Sequence, residues 1–149
     1  MSDDALPIDP DRPARQRVQP DVLAVIAVGG MLGATARFEL AEALPTEAGH
    51  FPWATFWTNL SGSLVLGFLL VLLVERFPPS RYLRPFLATG ILGAYTTMST
   101  YLVETAVLFK DGHAGTALLY GVGSLVLGVL LAYTGIVAGR LTSRRREPA

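Results

Sequence analysis

The sequence contains no cysteine, which excludes disulfide bridges, thiolate zinc sites and thiol catalysis at the outset. Charge is also scarce. Only 16% of the 149 residues are Asp, Glu, Lys or Arg, while 51% are hydrophobic; an average soluble protein carries about 25% charged residues. The charges cluster in 3–21, 39–47, 75–84, 110–111 and 140–147, with long apolar runs between them. The net charge of zero is therefore uninformative. Nucleic-acid binding has little support, because the only basic cluster, Arg144-Arg145-Arg146, reads as a membrane flank. The two histidines, His50 and His113, fall in expected loops and share no metal-ligand spacing.

What the chain has in abundance is uninterrupted apolar sequence. A helix needs about 20 mostly apolar residues to cross the hydrocarbon core of a bilayer. Residues 54–74 supply 21 without a charge, 114–139 supply 26, and 85–103 supply 19 before Glu104. Residues 22–36 supply 15 before Arg37, so a complete first crossing carries Arg37 inside its C-terminal part and ends near Ala43. Arginines ahead of a short apolar run ending in Ala34-Thr35-Ala36 also fit a cleavable signal peptide. Gly29-Gly30 interrupts that run, and the amphipathic stretch after Arg37 continues as helix, which favours a crossing.

The expected fold is an all-α membrane protein of four transmembrane helices. Short connections at 44–53, 75–84 and around 110–113 force neighbouring helices to be antiparallel. Residues 1–21, with four prolines and eight charges, are expected to be a disordered tail. Residues 22–141 form the expected membrane domain and residues 142–149 a basic tail. Ten arginines (12, 15, 17, 76, 81, 84, 140, 144, 145 and 146) fall on one side of the four spans. Lys110 stands alone on the other, and Arg37 lies within a span. The positive-inside bias places both termini in the cytoplasm of a multi-pass cell-membrane protein.

Polar residues at membrane depth cost free energy and each wants a reason. The third span reads Gly90-Ile91-Leu92-Gly93-Ala94-Tyr95-Thr96-Thr97-Met98-Ser99-Thr100-Tyr101, a poor helix at mid-membrane. Its hydroxyls either bond back to their own helix or accompany a break that turns carbonyl oxygens inward, where they suit a small cation. Asn59, Ser63 and Gly67 share one face of the second span, and Tyr120, Ser124 and Gly128 repeat that spacing in the fourth. Asn59 is either interhelical glue or a donor to a passing anion. Gly29 with Gly33, and Gly135 with Gly139, are spaced for close helix packing. Glu104 is the only carboxylate clearly within a span and Arg37 the only embedded base, so no acid–base pair for an enzyme emerges. Donors spread over three helices suit a permeation path.

These residues resemble the small bacterial fluoride channels, the Fluc or CrcB family, over about residues 22–139. Gly29-Gly30-Met31-Leu32-Gly33-Ala34-Thr35-Ala36-Arg37 resembles its glycine-rich first helix ending in arginine. Thr55-Phe56-Trp57-Thr58-Asn59-Leu60-Ser61-Gly62-Ser63 resembles its second-helix pattern. Gly93-Ala94-Tyr95-Thr96-Thr97-Met98-Ser99-Thr100-Tyr101, followed by Glu104, resembles its broken-helix signature, and Tyr120 with Ser124 matches a fourth-helix pair.

The resemblance implies a third helix broken near its middle and an antiparallel dimer with two pores. It also implies one structural sodium ion at the dimer centre, held by backbone carbonyls of Gly93 and Thr96. Asn59 would face fluoride, Tyr120 and Ser124 would contribute to a polar track near Ser99, Thr100 and Glu104, and Arg37 would be structural. The two phenylalanines that line the family's pore appear here as Met98 and Tyr101. Tyrosine keeps positive ring edges, whereas methionine offers only a polarizable thioether.

Passive fluoride export, a non-conducting or obligate heterodimer subunit, and a proton-coupled exporter of the small multidrug type are the functions weighed. The last needs a carboxylate in the first span, and 22–36 has none. The heterodimer is motivated by Met98 and by the ten-to-one bias, because an antiparallel homodimer needs one sequence to insert both ways.

Overall fold

The computed structural model describes residues 19–77 and 80–144. The expected N-terminal tail lies outside them as far as residue 18, as do Arg145 and Arg146. The described residues are helical, in the order α1 (Pro20–Ala43), α2 (Trp53–Glu75), a π-wound segment (Pro85–Leu92), α3 (Gly93–Tyr95), α4 (Met98–Lys110) and α5 (Ala114–Arg144). Three helices are long and apolar enough to cross a membrane: Pro20–Ala43, Trp53–Glu75 and Ala114–Ser143.

Helix α1 starts two residues earlier than the charge pattern suggests, because Pro20 occupies the first helical position. Proline needs no hydrogen-bond partner there, and its fixed φ suits a helix start. Asp21 Oδ1 and Oδ2 accept from Arg81 Nη2 and Tyr82 Oη at 2.9 and 2.8 Å, tying this end of α1 to the loop before the π-wound segment. The bond to Asp21 holds the Tyr82 phenol above its ordinary pKa. At the other end, α1 runs through Arg37 to Ala43 as one helix.

Two pairings of small residues organise the bundle. Gly29 and Gly33 lay α1 against the π-wound segment so closely that a Cβ on Gly33 would lie 2.1 Å from Ile91 O. Gly67 and Gly135 do the same between α2 and α5, with Ala132 O and Leu64 O each 2.2 Å from the missing Cβ. Backbones approaching this closely gain dispersion contacts that bulkier side chains would forbid. The pairs Gly29/Gly33 and Gly135/Gly139 thus both lie in helix–helix contacts.

A third of the apolar window of α2 is buried (33%), against 11% for α1 and α5, so α2 is the central helix. Phe56 and Leu60 of α2, Leu108 of α4, and Ala117 and Tyr120 of α5 form a buried cluster capped by Phe51. Most other large apolar side chains are exposed, among them Met31, Val74, Leu119, Val129 and Tyr133. Hydrocarbon is the solvent that suits such a surface.

The turn from α4 to α5 is set locally. Gly112 takes φ +83, and His113 N–H and Gly112 N–H reach back to Leu108 O and Phe109 O at 2.9 and 3.2 Å. This glycine-terminated cap reverses the chain within three residues and stacks α5 antiparallel to α4.

Candidate ion site

The residues singled out in the third apolar stretch gather where the helix gives way. Around Pro85–Leu92 the winding is loose, with Gly93 N–H bonding Ala88 O five residues back. Such π winding is rare and concentrates at functional sites. The helix then ends at Tyr95. Thr96 (φ −78, ψ 156) and Thr97 (φ −146, ψ 122) are extended, and α4 begins at Met98.

The backbone N–H groups of Thr96, Thr97 and Thr100 at this interruption each have a traceable partner. Thr96 N–H and Thr96 Oγ1 both donate to Leu92 O, at 3.1 and 3.0 Å. Thr97 N–H leaves the helical ladder and donates to Asn59 Oδ1 at 2.8 Å, while Asn59 Nδ2 donates to Thr97 O at 2.9 Å. Thr97 caps α4: its Oγ1 accepts from Thr100 N–H at 3.2 Å and donates to Thr100 Oγ1 at 2.9 Å. Ser99 Oγ lies 3.4 Å from the same hydroxyl. In an unbroken helix Thr97 N–H would serve Gly93 O, and Thr100 N–H would serve Thr96 O. Both carbonyls have lost those partners.

The carbonyl oxygens of Gly93, in α3, and of Thr96, on extended backbone, are hard ligands of the kind that suit a small cation such as Na⁺. Among the described residues no three His, Asp or Glu side chains come together as an alternative donor set. The residues present therefore fit a small hard cation held by main-chain oxygen. Gly93 is exposed and has room around it, since a Cβ there would meet only Ala88 O at 3.6 Å. The tight position is Gly62, where a Cβ would lie 2.3 Å from the Thr96 methyl.

Beside the interruption, Asn59, Thr96, Thr97, Met98, Tyr101 and Ser124 line a cleft of about 340 Å³ between α2, α4 and α5. Ser124 is 7% exposed, and its Oγ has no hydrogen-bond partner. Met98 is 64% exposed on the outer side of the cleft. Tyr101 Oη is spent on Gly121 O at 2.6 Å, which leaves its ring in the cleft wall. A second cleft of about 450 Å³ is lined by Arg37, Thr55, Thr58, Thr97 and Thr100 among others, so Arg37 and Thr100 sit apart from the first group.

Tyr120 and Glu104 belong to neither cleft. Tyr120 is fully buried and donates to Glu104 Oε2 at 2.6 Å, while Thr55 Oγ1 donates to Oε1 at 2.9 Å. The shared face read from Tyr120 and Ser124 is real in its spacing, but only Ser124 keeps a hydroxyl without a partner. Sequence reasoning missed Thr55, and it missed Ser61, whose Oγ lies 3.0 Å from Tyr95 Oη. For Thr55 the available signal was a hydroxyl one turn from Asn59; Ser61, two residues from Asn59, carried no such spacing.

Comparison with known proteins decides the family. The family model described as CrcB-like protein, Camphor Resistance (CrcB), matches residues 24–136. The chain belongs to the CrcB-like family. A relative in Streptomyces avermitilis named fluoride-specific ion channel FluC 3 is 44% identical over 132 residues, covering 89% of this chain and 65% of that protein. The chain thus spans just under two thirds of that relative's length. FluC 2 of the same organism is 46% identical, covering 72% of this chain and 71% of its own length. The fluoride-specific ion channel FluC of Magnetococcus marinus is 42% identical, covering 80% of this chain and 98% of its own length. With three helices long and apolar enough to cross, this CrcB-like chain is a multi-pass membrane protein.

Proposed function

We propose that this chain is a subunit of a fluoride-specific channel that lowers cytoplasmic fluoride by passive export. The observation that carries the proposal is the interrupted backbone at Thr96-Thr97, flanked by Asn59 and by the partnerless Ser124 hydroxyl. The channel names of the relatives support it. In this reading the π-wound segment, α3 and α4 together make one crossing broken near its middle. With α1, α2 and α5 the chain then crosses four times, both termini in the cytoplasm.

Fluoride is small and tightly hydrated, so a path must replace its water with donors while staying narrow. Asn59 has one N–H beyond the bond to Thr97, and Ser124 has its whole hydroxyl to offer. The Tyr101 ring edge adds partial positive charge. An inverted second chain would cover the exposed face of Met98, Leu102 and Val103 and close the cleft into a pore, giving two pores per dimer. The carbonyls of Gly93 and Thr96 would hold a structural sodium ion at the dimer centre, which would supply fixed positive charge there. Glu104 accepts from Thr55 and Tyr120, and these bonds fix α2, α4 and α5 around the path.

Fluoride efflux from liposomes carrying the purified chain tests the proposal with a fluoride electrode. Efflux of fluoride without chloride is expected, and a proton-coupled release of organic cations would overturn it. A second reading, an obligate antiparallel heterodimer, is favoured by the ten-to-one bias of Lys and Arg and by Met98, a position that could drift if a partner supplied the aromatic ring. Two of the relatives, FluC 3 and FluC 2, occur together in S. avermitilis.

A further inference from the structure

Asn59 forms a two-point bond with the interruption itself. A peptide N–H only donates and a carbonyl only accepts, so the orientation of the amide is dictated: Oδ1 on Thr97 N–H, Nδ2 on Thr97 O. The acceptor half of the side chain takes the N–H that an unbroken helix would give to Gly93 O. The donor half keeps one hydrogen beyond its bond to Thr97 O. Two residues along α2, Ser61 Oγ lies 3.0 Å from Tyr95 Oη and anchors the last residue of α3 to the same helix. Gly62 then makes space for the Thr96 methyl. The three consecutive contacts lie along one stretch of α2.

We infer that Asn59 is the positioning residue that frees the Gly93 carbonyl, with Ser61 and Tyr95 as a second anchor, so that one amide organises both the cation cage and the anion path. The inference rests on the sodium reading given above. It divides the amide by chemistry: the oxygen serves the cation side through Thr97 N–H, and the spare N–H serves the anion side. Two substitutions separate the halves. Asn59→Asp keeps an oxygen for Thr97 N–H and loses both amide hydrogens, the one bonded to Thr97 O and the spare one. Asn59→Leu loses the oxygen as well.

The test uses the assembled full-length protein in detergent, with thermal unfolding followed as NaCl replaces choline chloride at constant ionic strength. An ion that binds only the native state raises the unfolding midpoint with its concentration. The unsubstituted protein and Asn59→Asp are expected to show the sodium-dependent rise, and Asn59→Leu to lose it. Fluoride efflux by Asn59→Asp is expected to fall by at least about tenfold although its sodium response remains, a drop of about 1.4 kcal/mol. Should Asn59→Leu not assemble, Ser61→Ala and Tyr95→Phe take its place. Each should raise the half-saturating sodium concentration several-fold, and the double variant should raise it no further, because both remove one bond. No sodium response in the unsubstituted protein removes the sodium reading, and this inference with it. A normal sodium response that persists in Asn59→Leu, or in Ser61→Ala and Tyr95→Phe, leaves the sodium reading standing and overturns the positioning role. Loss of the response in Asn59→Asp overturns it as well.

Discussion

At the residue scale, Asn59 and Ser124 differ in what their removal should do. Asn59 is bonded twice to Thr97, so Asn59→Leu strands a peptide N–H and a carbonyl and, if Asn59 faces fluoride as proposed, the anion too. Each stranded group costs about 1–3 kcal/mol, and efflux should drop by at least about tenfold alongside a lower unfolding midpoint. Ser124 Oγ has no partner to strand. Ser124→Ala should therefore leave the midpoint unchanged or higher while efflux falls several-fold. Efflux at the unsubstituted rate would make Ser124 a packing residue. Glu104 is a third case, since both of its oxygens accept from hydroxyls. Glu104→Leu removes both acceptors and leaves the Thr55 and Tyr120 hydroxyls without a partner, and should lower stability by about 1–3 kcal/mol, measured by thermal unfolding.

At the scale of elements, the decisive contacts are backbone against backbone. Gly33 faces Ile91 O across α1 and the π-wound segment, and Gly67 faces Ala132 O across α2 and α5. Main-chain atoms cannot swing aside as a side-chain tip can. Gly33→Val and Gly67→Val should each push a helix pair apart and cost about 1–3 kcal/mol or more by overpacking, seen as loss of folded protein in detergent. Gly93→Ala should not, because its Cβ has open room within the chain. Gly62→Ala is the more telling change near the interruption. It presses on the Thr96 methyl at a position that no other side chain contests more closely, and it should shift the Thr96 carbonyl without unfolding α2. A Gly62→Ala chain with unaltered efflux and unaltered sodium response would show that the interruption tolerates the shift.

At the scale of the whole molecule, insertion direction is the open variable. Ten arginines on one side against Lys110 on the other favour one orientation strongly. The second reading, the obligate heterodimer, expects a reporter fused to the C-terminus to signal from the cytoplasm alone and the chain expressed by itself to give little fluoride efflux until a related chain of opposite bias is supplied. Signal from both faces of the membrane, or full efflux from the single chain, removes the heterodimer. The exposed face around Met98 is where such a partner would sit.

Apolar run length and charge placement by themselves determined the helical class and the membrane, because the bilayer demands about 20 apolar residues per crossing. The glycine pairs, the hydroxyl run beside Gly93 and the polar faces of α2 and α5 were legible for the same reason: helix periodicity fixes which residues share a side. The sequence could not say which hydroxyls were already satisfied. Tyr120 and Ser124 share a face, yet only the position of Glu104, sixteen residues from Tyr120 and on another helix, shows that one is spent and the other is not. Likewise the two bonds from Asn59 to Thr97, residues 38 apart in the chain, could not be read from spacing along α2. Contacts between residues distant in the chain, Asn59 with Thr97 and Thr55 with Glu104, exist only after α2 is packed against its neighbours, and that packing was decided by tertiary structure.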